Sequence, residues 1–178
     1  MCGIVGYIGN KTASNIILNG LKRLEYRGYD SAGISTYEKD KILTTKFSGK
    51  VKDLENKIIS NAHDGTIGMG HTRWATHGKP SDINAHPHND SLNKISIVHN
   101  GIIENYYSIK KYLTSKNYNF KSETDTEVLA QLISYIHDTQ KNDFCESVRI
   151  ALNEIVGAYG LVIMNSDNPD KIIAARLG

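Results

Sequence analysis

Cysteine is scarce in this sequence, with only Cys2 and Cys145 among 178 residues. Two thiols are too few for a disulfide framework or a cysteine-rich zinc site, and both suit a reducing compartment. No apolar run approaches the ~20 residues needed to cross a bilayer, and the start lacks the charged-then-apolar pattern of a secretory signal. The chain is therefore expected to be soluble and cytoplasmic, with no membrane partner. An excess of one charge is also missing: 21 Lys and Arg against 19 Asp and Glu leave a formal +2. With no basic block and few aromatic residues in basic surroundings, the sequence offers no nucleic-acid interface. The phosphate-binding P-loop and the GxGxxG fingerprint are absent, as are internal repeats and low-complexity tracts. The length suits one sizeable core and argues against two full domains.

What is present begins at the first four residues. Met1-Cys2-Gly3-Ile4 places a thiol one residue from the start. Loss of Met1, common when the next side chain is small, would leave a nucleophile and a free amine on one carbon. A thiol near pKa 8.5 and an α-amine near 7.7–8.0 exchange a proton at little cost around neutrality, and N-terminal amines activate such nucleophiles. A cysteine at a frayed end would by itself mean little. Here Ile4-Val5-Gly6-Tyr7-Ile8, bounded by Gly3 and Gly9-Asn10, reads as a buried strand that would hold the terminus still.

Further along, Ala13, Ile17, Leu21 and Leu24 recur at helical spacing, with Thr12 or Ser14 as cap, and Tyr26 to Ser31 reads as a loop. Ala32 to Tyr37 and Ile42 to Phe47 are β-favouring segments joined by a polar hairpin connection. Val51, Leu54 and Ile58 mark a short helix ended at His63-Asp64-Gly65, where His63 is expected at the surface. Thr66 to Thr72 reads as a strand whose glycines allow close backbone approach. Arg73 to Ser91 is the longest irregular stretch and holds the only Trp, the signature of a functional loop.

Ile95 to His99 is another strand, ending at Asn100-Gly101, a dipeptide suited to tight turns. Asn105 caps a helix expected to turn Ile109, Tyr112 and Leu113 to the core. Thr124-Asp125-Thr126-Glu127 fits a capping box ahead of an amphipathic helix with Val128, Leu129, Leu132, Ile133 and Ile136. Phe144, Val148, Leu152 and Ile155 share a face of a third helix, stopped at Gly157, with Cys145 near that face as a reduced core thiol. Tyr159 to Met164 and Ile172 to Ala175 are two last strands. Strands in hairpin-like clusters separated by helices point to a layered α+β fold with a largely antiparallel sheet.

The polar residues suit an amino-acid amide. Thiol attack on a carboxamide creates an oxyanion, which needs fixed donors; Asn100 and the Gly101 amide offer both a side-chain and a backbone N–H. Arg73 can hold an α-carboxylate with its bidentate fork. Asp125 can meet an α-ammonium, although an early helical carboxylate serves as an ordinary cap and dipole partner first. Trp74 fits a core residue or a hinged lid equally well. His71, His77, His86, His88 and His99 match no zinc spacing, so they are read as satisfied histidines and no metal or other cofactor is expected.

Five stretches, MCGIVGYIG at 1–9, LEYRGYDSAG at 24–33, HTRWATHGKPSDINAHPH at 71–88, VHNGIIEN at 98–105 and SETDTEV at 122–128, resemble the N-terminal glutaminase domain of the glucosamine-6-phosphate synthases. These are class II glutamine amidotransferases of the N-terminal-nucleophile hydrolase type. The resemblance implies a four-layer αββα sandwich. By position it makes Cys2 the nucleophile, with its α-amine as base, and Asn100 and Gly101 the oxyanion donors. Arg73, Thr76 and His77 would bind the glutamine carboxylate, Asp125 and the Gly101 carbonyl its ammonium, and Trp74 would close the binding loop, with Arg27 and His86 in support. L-glutamine is then the substrate. Residues 1–178 would be one glutaminase domain, incomplete at its C-terminal side, and fructose 6-phosphate would be met only through a separate sugar isomerase domain in a homo-oligomeric full-length enzyme. The rival readings are a phosphoribosyl-pyrophosphate amidotransferase, a non-catalytic glutamine-binding module and a histidine-rich metal-binding protein.

Overall fold

The structure, a computed structural model, describes residues 2–28, 30–74 and 80–178. Among them are two four-stranded sheets, every strand pair antiparallel. The first sheet holds β1 (Gly3–Ile8), β2 (Ser31–Glu38), β3 (Lys41–Phe47) and β4 (Ile67–Arg73) in the order β1-β4-β2-β3. The second holds β5 (His88–Asn89), β6 (Ile95–Gly101), β7 (Tyr159–Asn165) and β8 (Ile172–Leu177), in chain order. Helices α1 (Ala13–Leu24) and α2 (Val51–Ser60) cover the first sheet; α3 (Tyr106–Ser115), α4 (Asp125–Gln140) and α5 (Phe144–Glu154) cover the second.

Three apolar layers hold this αββα sandwich together. Ile17, Leu21 and Leu54, all fully buried, join α1 and α2 to Ile34 of β2. Met69, Val98 and Met164 fill the space between the sheets. Ile97, Leu129, Ile133 and Ile163 lead the layer under α3, α4 and α5. Each such side chain contributes about 1.5–3 kcal/mol of transfer free energy when fully buried. Polar bridges also cross between the sheets, among them Ser35 Oγ to Ser96 Oγ at 2.8 Å and Asn89 Nδ2 to Thr44 Oγ1 at 2.9 Å.

The β2–β3 connection is a two-residue turn, Lys39 at φ 49° and Asp40 at φ 63°, the left-handed pair that matches strand twist. Thr12 precedes α1 without a side-chain cap bond, and Ser14 instead donates to the His63 carbonyl at 2.8 Å. Thr124 caps α4 by accepting from the Glu127 N–H. The Glu127 carboxylate reaches past the cap to accept from the N–H groups of Lys121 and Ser122, so only half of a capping box forms.

Several expectations are corrected. His63 is buried, not at the surface, because its ring is held between two strands: Nδ1 lies 2.7 Å from Thr36 Oγ1 and Nε2 lies 2.8 Å from Thr45 Oγ1. Cys145 is exposed, since the core face of α5 runs through Phe144, Ser147, Val148 and Ala151. Tyr112 is exposed as well; its hydroxyl meets that of Tyr135 across the outer surface. Helix α4 is not amphipathic over its first ten residues, all of which are buried between the second sheet and its flanking helices. Asn105 does not cap α3 with its side chain, which instead donates to the Glu154 carbonyl and accepts from the Val156 N–H. The segment after α1 contains a single 3-10 turn, Glu25–Arg27, and Ser31 already belongs to β2. Asn100 and Gly101 are not a hairpin turn: they end β6, opposite Gly160 and Tyr159.

Candidate active site

Antiparallel pairing of β1 with β4 places Gly3 opposite Thr72, so the chain start meets the end of β4. The Gly3 N–H donates to Thr72 Oγ1 at 3.2 Å. A side chain at Gly3 has no room, because its Cβ would lie 2.7 Å from Leu24 Cβ and 2.9 Å from the Thr72 hydroxyl. Residue 2 therefore projects beyond the sheet, beside the residues that follow Thr72. The Cys2 sulfur accepts from the Trp74 N–H at 3.2 Å and faces the Trp74 carbonyl at 3.6 Å.

The second sheet reaches the same end of the sandwich through β6. Asn100 Nδ2 donates to the Cys2 carbonyl at 3.1 Å, a bond that crosses between the sheets. On its other side Asn100 Oδ1 lies 2.8 Å from His71 Nε2, so the amide is held at both ends. Gly101 adopts φ +138°, and a Cβ there would collide with the Ala158 carbonyl oxygen, which explains glycine at this position. Asp125, the first residue of α4, is buried; Oδ2 accepts from the Ile103 N–H at 2.8 Å, and Oδ1 faces the Thr126 hydroxyl at 3.4 Å. Arg73 is buried at the end of β4.

These groups surround one cavity of about 350 Å³. Cys2, Arg73, Trp74, Asn100, Gly101 and Asp125 all line it, and so do Arg27 and His86. Thr76 and His77 lie outside the described residues. Trp74 is 48% exposed, which removes the core reading and puts its indole at the rim. The remaining lining groups carried no site role in the sequence pattern: His71 and His99 read as satisfied histidines, Thr124 and Thr126 as part of a capping box, and Ile102 carried no signal. Nothing in a linear pattern marks the Thr126 hydroxyl as a hub, yet it lies 2.9 Å from His86 Nε2 and 3.0 Å from His99 Nδ1.

Three buried histidines, His71, His86 and His99, line the cavity, and a fourth, His88, packs against His86 outside the lining. His71 stacks on His86 with centroids 4.4 Å apart, and His86 meets His88 edge-on at 4.7 Å. Burial lowers the pKa of His71 to about 4 and pushes those of His86 and His88 well below the ordinary histidine value; His99 is lowered as well, against the opposing pull of Asp125. All four rings are neutral at pH 7. The ring nitrogens without a hydrogen-bond partner, His71 Nδ1, His86 Nδ1 and His99 Nε2, are in each case the atom opposite the bonded one. A neutral imidazole has one bare nitrogen, so each such atom can remain a lone pair without a stranded proton. Among the described residues no group of His, Cys, Asp and Glu is arranged to hold a metal ion, and no helix is long and apolar enough to cross a membrane.

Similarity to known proteins gives the family of the chain. Residues 71–177 match the family model described as a glutamine amidotransferase domain. Over 177 residues the chain is 53% identical to the isomerizing glutamine–fructose-6-phosphate aminotransferase of Bacteroides thetaiotaomicron, covering 99% of this chain and 29% of that protein. The protein of the same description from Pyrococcus horikoshii is 50% identical over 176 residues, again covering 99% of this chain and 29% of its own length. The chain thus spans less than a third of the length of these curated relatives. Among solved structures, the glutamine phosphoribosylpyrophosphate amidotransferase of B. subtilis, complexed with ADP and GMP, superposes with a TM-score of 0.83 at 26% identity, covering 99% of this chain and 37% of that one.

Proposed function

Because the chain belongs to the glutamine amidotransferase domain family, we propose that its cavity hydrolyses the side-chain amide of L-glutamine, with Cys2 as nucleophile once Met1 has been removed. The observation that carries this reading is convergence: a terminal thiol, a side-chain amide, a buried guanidinium and a buried carboxylate, from four separate segments, line one cavity. The α-amine of the processed terminus takes the thiol proton, and the sulfur attacks the amide carbon. Negative charge moves to the amide oxygen, where the Asn100 side chain and the Gly101 N–H stabilise it. Collapse breaks the C–N bond, the leaving nitrogen takes the proton back, and ammonia departs. Water then attacks the γ-glutamyl thioester, releasing glutamate and restoring the thiol.

Arg73 pairs with the α-carboxylate of glutamine and Asp125 with its α-ammonium, the two ends that distinguish an amino-acid amide from a simple amide. In this reading Thr76 and His77 assist at the carboxylate, Trp74 closes over the bound substrate, and Arg27 and His86 support the site. Residues 1–178 form a glutaminase domain. In a longer protein with a sugar isomerase domain, the ammonia would aminate fructose 6-phosphate to glucosamine 6-phosphate. The 53% identity to fructose-6-phosphate aminotransferases, against 26% to the phosphoribosylpyrophosphate amidotransferase structure, favours that acceptor.

The test is peptide-mapped mass spectrometry after incubation with an electrophilic glutamine analogue, with and without excess glutamine. The expected result is an adduct on Cys2, in a peptide lacking Met1, that glutamine suppresses. Labelling confined to exposed Cys145, or glutamine bound without release of ammonia, would replace the catalytic reading with a binding one.

A further inference from the structure

We propose that His71 is a positioning residue that sets the orientation of the Asn100 amide, and so determines which end of that amide faces the reacting carbonyl. The proposal rests on the reading of Asn100 as an oxyanion donor. A side-chain amide has a donating and an accepting end of nearly equal shape, and either fits the same space. Asn100 makes one bond at each end, Nδ2 to the Cys2 carbonyl and Oδ1 to His71 Nε2. The backbone carbonyl of Cys2 can only accept, so it favours Nδ2 on its side. The amide oxygen can only accept too, so the contact at His71 requires the ring to donate from Nε2.

Burial keeps His71 neutral near pH 7, so its single ring proton sits on one nitrogen. If that is Nε2, the opposite atom, Nδ1, must need no acceptor, and Nδ1 is indeed buried without a partner. The other tautomer would place a lone pair against Asn100 Oδ1 and leave the Nδ1 proton in a buried site without a well-formed hydrogen bond, two penalties. Stacking on His86 fixes the plane of the ring. Although His71 also lines the cavity, its role in this scheme is exerted through Asn100, whose Oδ1 it occupies, leaving the second Nδ2 hydrogen for the developing oxyanion. Without it the amide can reverse, and an oxygen would then oppose the negative charge.

Glutamine hydrolysis by His71→Leu, Asn100→Ala and the double variant tests this, with thermal unfolding followed alongside. Loss of an oxyanion donor costs about 10²–10³ in kcat, so Asn100→Ala is expected to fall in that range. His71→Leu should lose about 10- to 100-fold in kcat with KM for glutamine changed less than about threefold, and the double variant should be no slower than Asn100→Ala alone. His71→Gln, which keeps a donor, should recover part of the loss. Losses that multiply in the double variant, or an unimpaired His71→Leu beside an impaired Asn100→Ala, would overturn the proposal. An unimpaired Asn100→Ala would overturn the reading beneath it. Should the leucine variant fail to fold, ¹⁵N NMR of the unsubstituted protein decides: protonated Nε2 with bare Nδ1 at His71 is expected, and the reverse tautomer refutes the assignment.

Discussion

The backbone N–H of Trp74 donates to the sulfur of Cys2 at 3.2 Å, linking the residue after β4 to the residue before β1. A hydrogen bond to a charged acceptor is worth about 1.5–3 kcal/mol, against about 0.5–1.5 kcal/mol for a neutral one. The contact is made by the main chain, so side-chain identity at position 74 does not govern it. Trp74→Pro removes the N–H and should slow alkylation of Cys2 by iodoacetamide at neutral pH about tenfold or more. Trp74→Phe keeps the donor and should alkylate at close to the original rate. Equal rates in the two variants would show that the contact does not tune the sulfur.

Cys2→Ser tests the nucleophile without changing the shape of the site. Hydrolysis of glutamine should fall by at least about 10³-fold, since a hydroxyl is far less acidic than the thiol it replaces. The melting temperature should stay within a few degrees, because Cys2 is only half-buried and its carbonyl still accepts from Asn100.

Asp125 and Arg73 should separate by substrate rather than by rate. With Asp125→Asn, KM for glutamine is expected to rise about 10- to 100-fold, the range for losing a charged hydrogen bond. The same variant should show no such penalty, relative to the original protein, on an amide lacking the α-amine. Arg73→Lys loses the bidentate fork and should weaken binding of glutamine and of the amide without the α-amine alike, while sparing an amide that lacks the carboxylate. Steady-state ammonia release with glutamine and the two truncated amides measures both effects.

Gly101→Ala places a side chain at φ +138° and against the Ala158 carbonyl. A non-glycine residue in such a region costs about 1–3 kcal/mol, and relief requires moving the end of β6. The expected result is a lower melting temperature together with at least a tenfold loss of kcat, measured by calorimetry and ammonia release.

The buried histidines make folding stability sensitive to acid. His71 has a folded pKa of about 4 against 6.5 for the unfolded chain, so between those values the unfolded state binds more protons. Stability is then full above about pH 6.5 and is lost as pH falls toward 4. Between pH 7 and pH 5 His71 alone should cost about 2 kcal/mol, and His86, His88 and His99 act in the same direction. Denaturant unfolding at pH 7 and pH 5 measures the difference.

Local pattern carried much of the fold. The spacing of Ile17 and Leu21, the β-favouring residues of β2 and β3, and the Thr124 cap each express a short-range preference, and each element forms where expected. Where expectation failed, a long-range contact overrode it. His63 is buried because Thr36 and Thr45, distant in sequence, accommodate both of its nitrogens. Helix α4 lost its solvent face because elements from both sides of it in sequence enclose it.

At the candidate site the residue types themselves were legible: a thiol at position 2, an Asn-Gly pair, an arginine and a helix-start carboxylate restrict the chemistry, since few reactions use all of them. Their sequence spacing says nothing of distance, however. Only the tertiary structure decided that Gly3 faces Thr72, that Asn100 reaches across the sheets to Cys2, and that His71 stands behind that amide. Covalent identity and local propensity are properties of the chain alone. Hydrogen-bond partners, tautomers and burial depend on strand register and sheet stacking, which bring residues 2, 71 and 100 within contact.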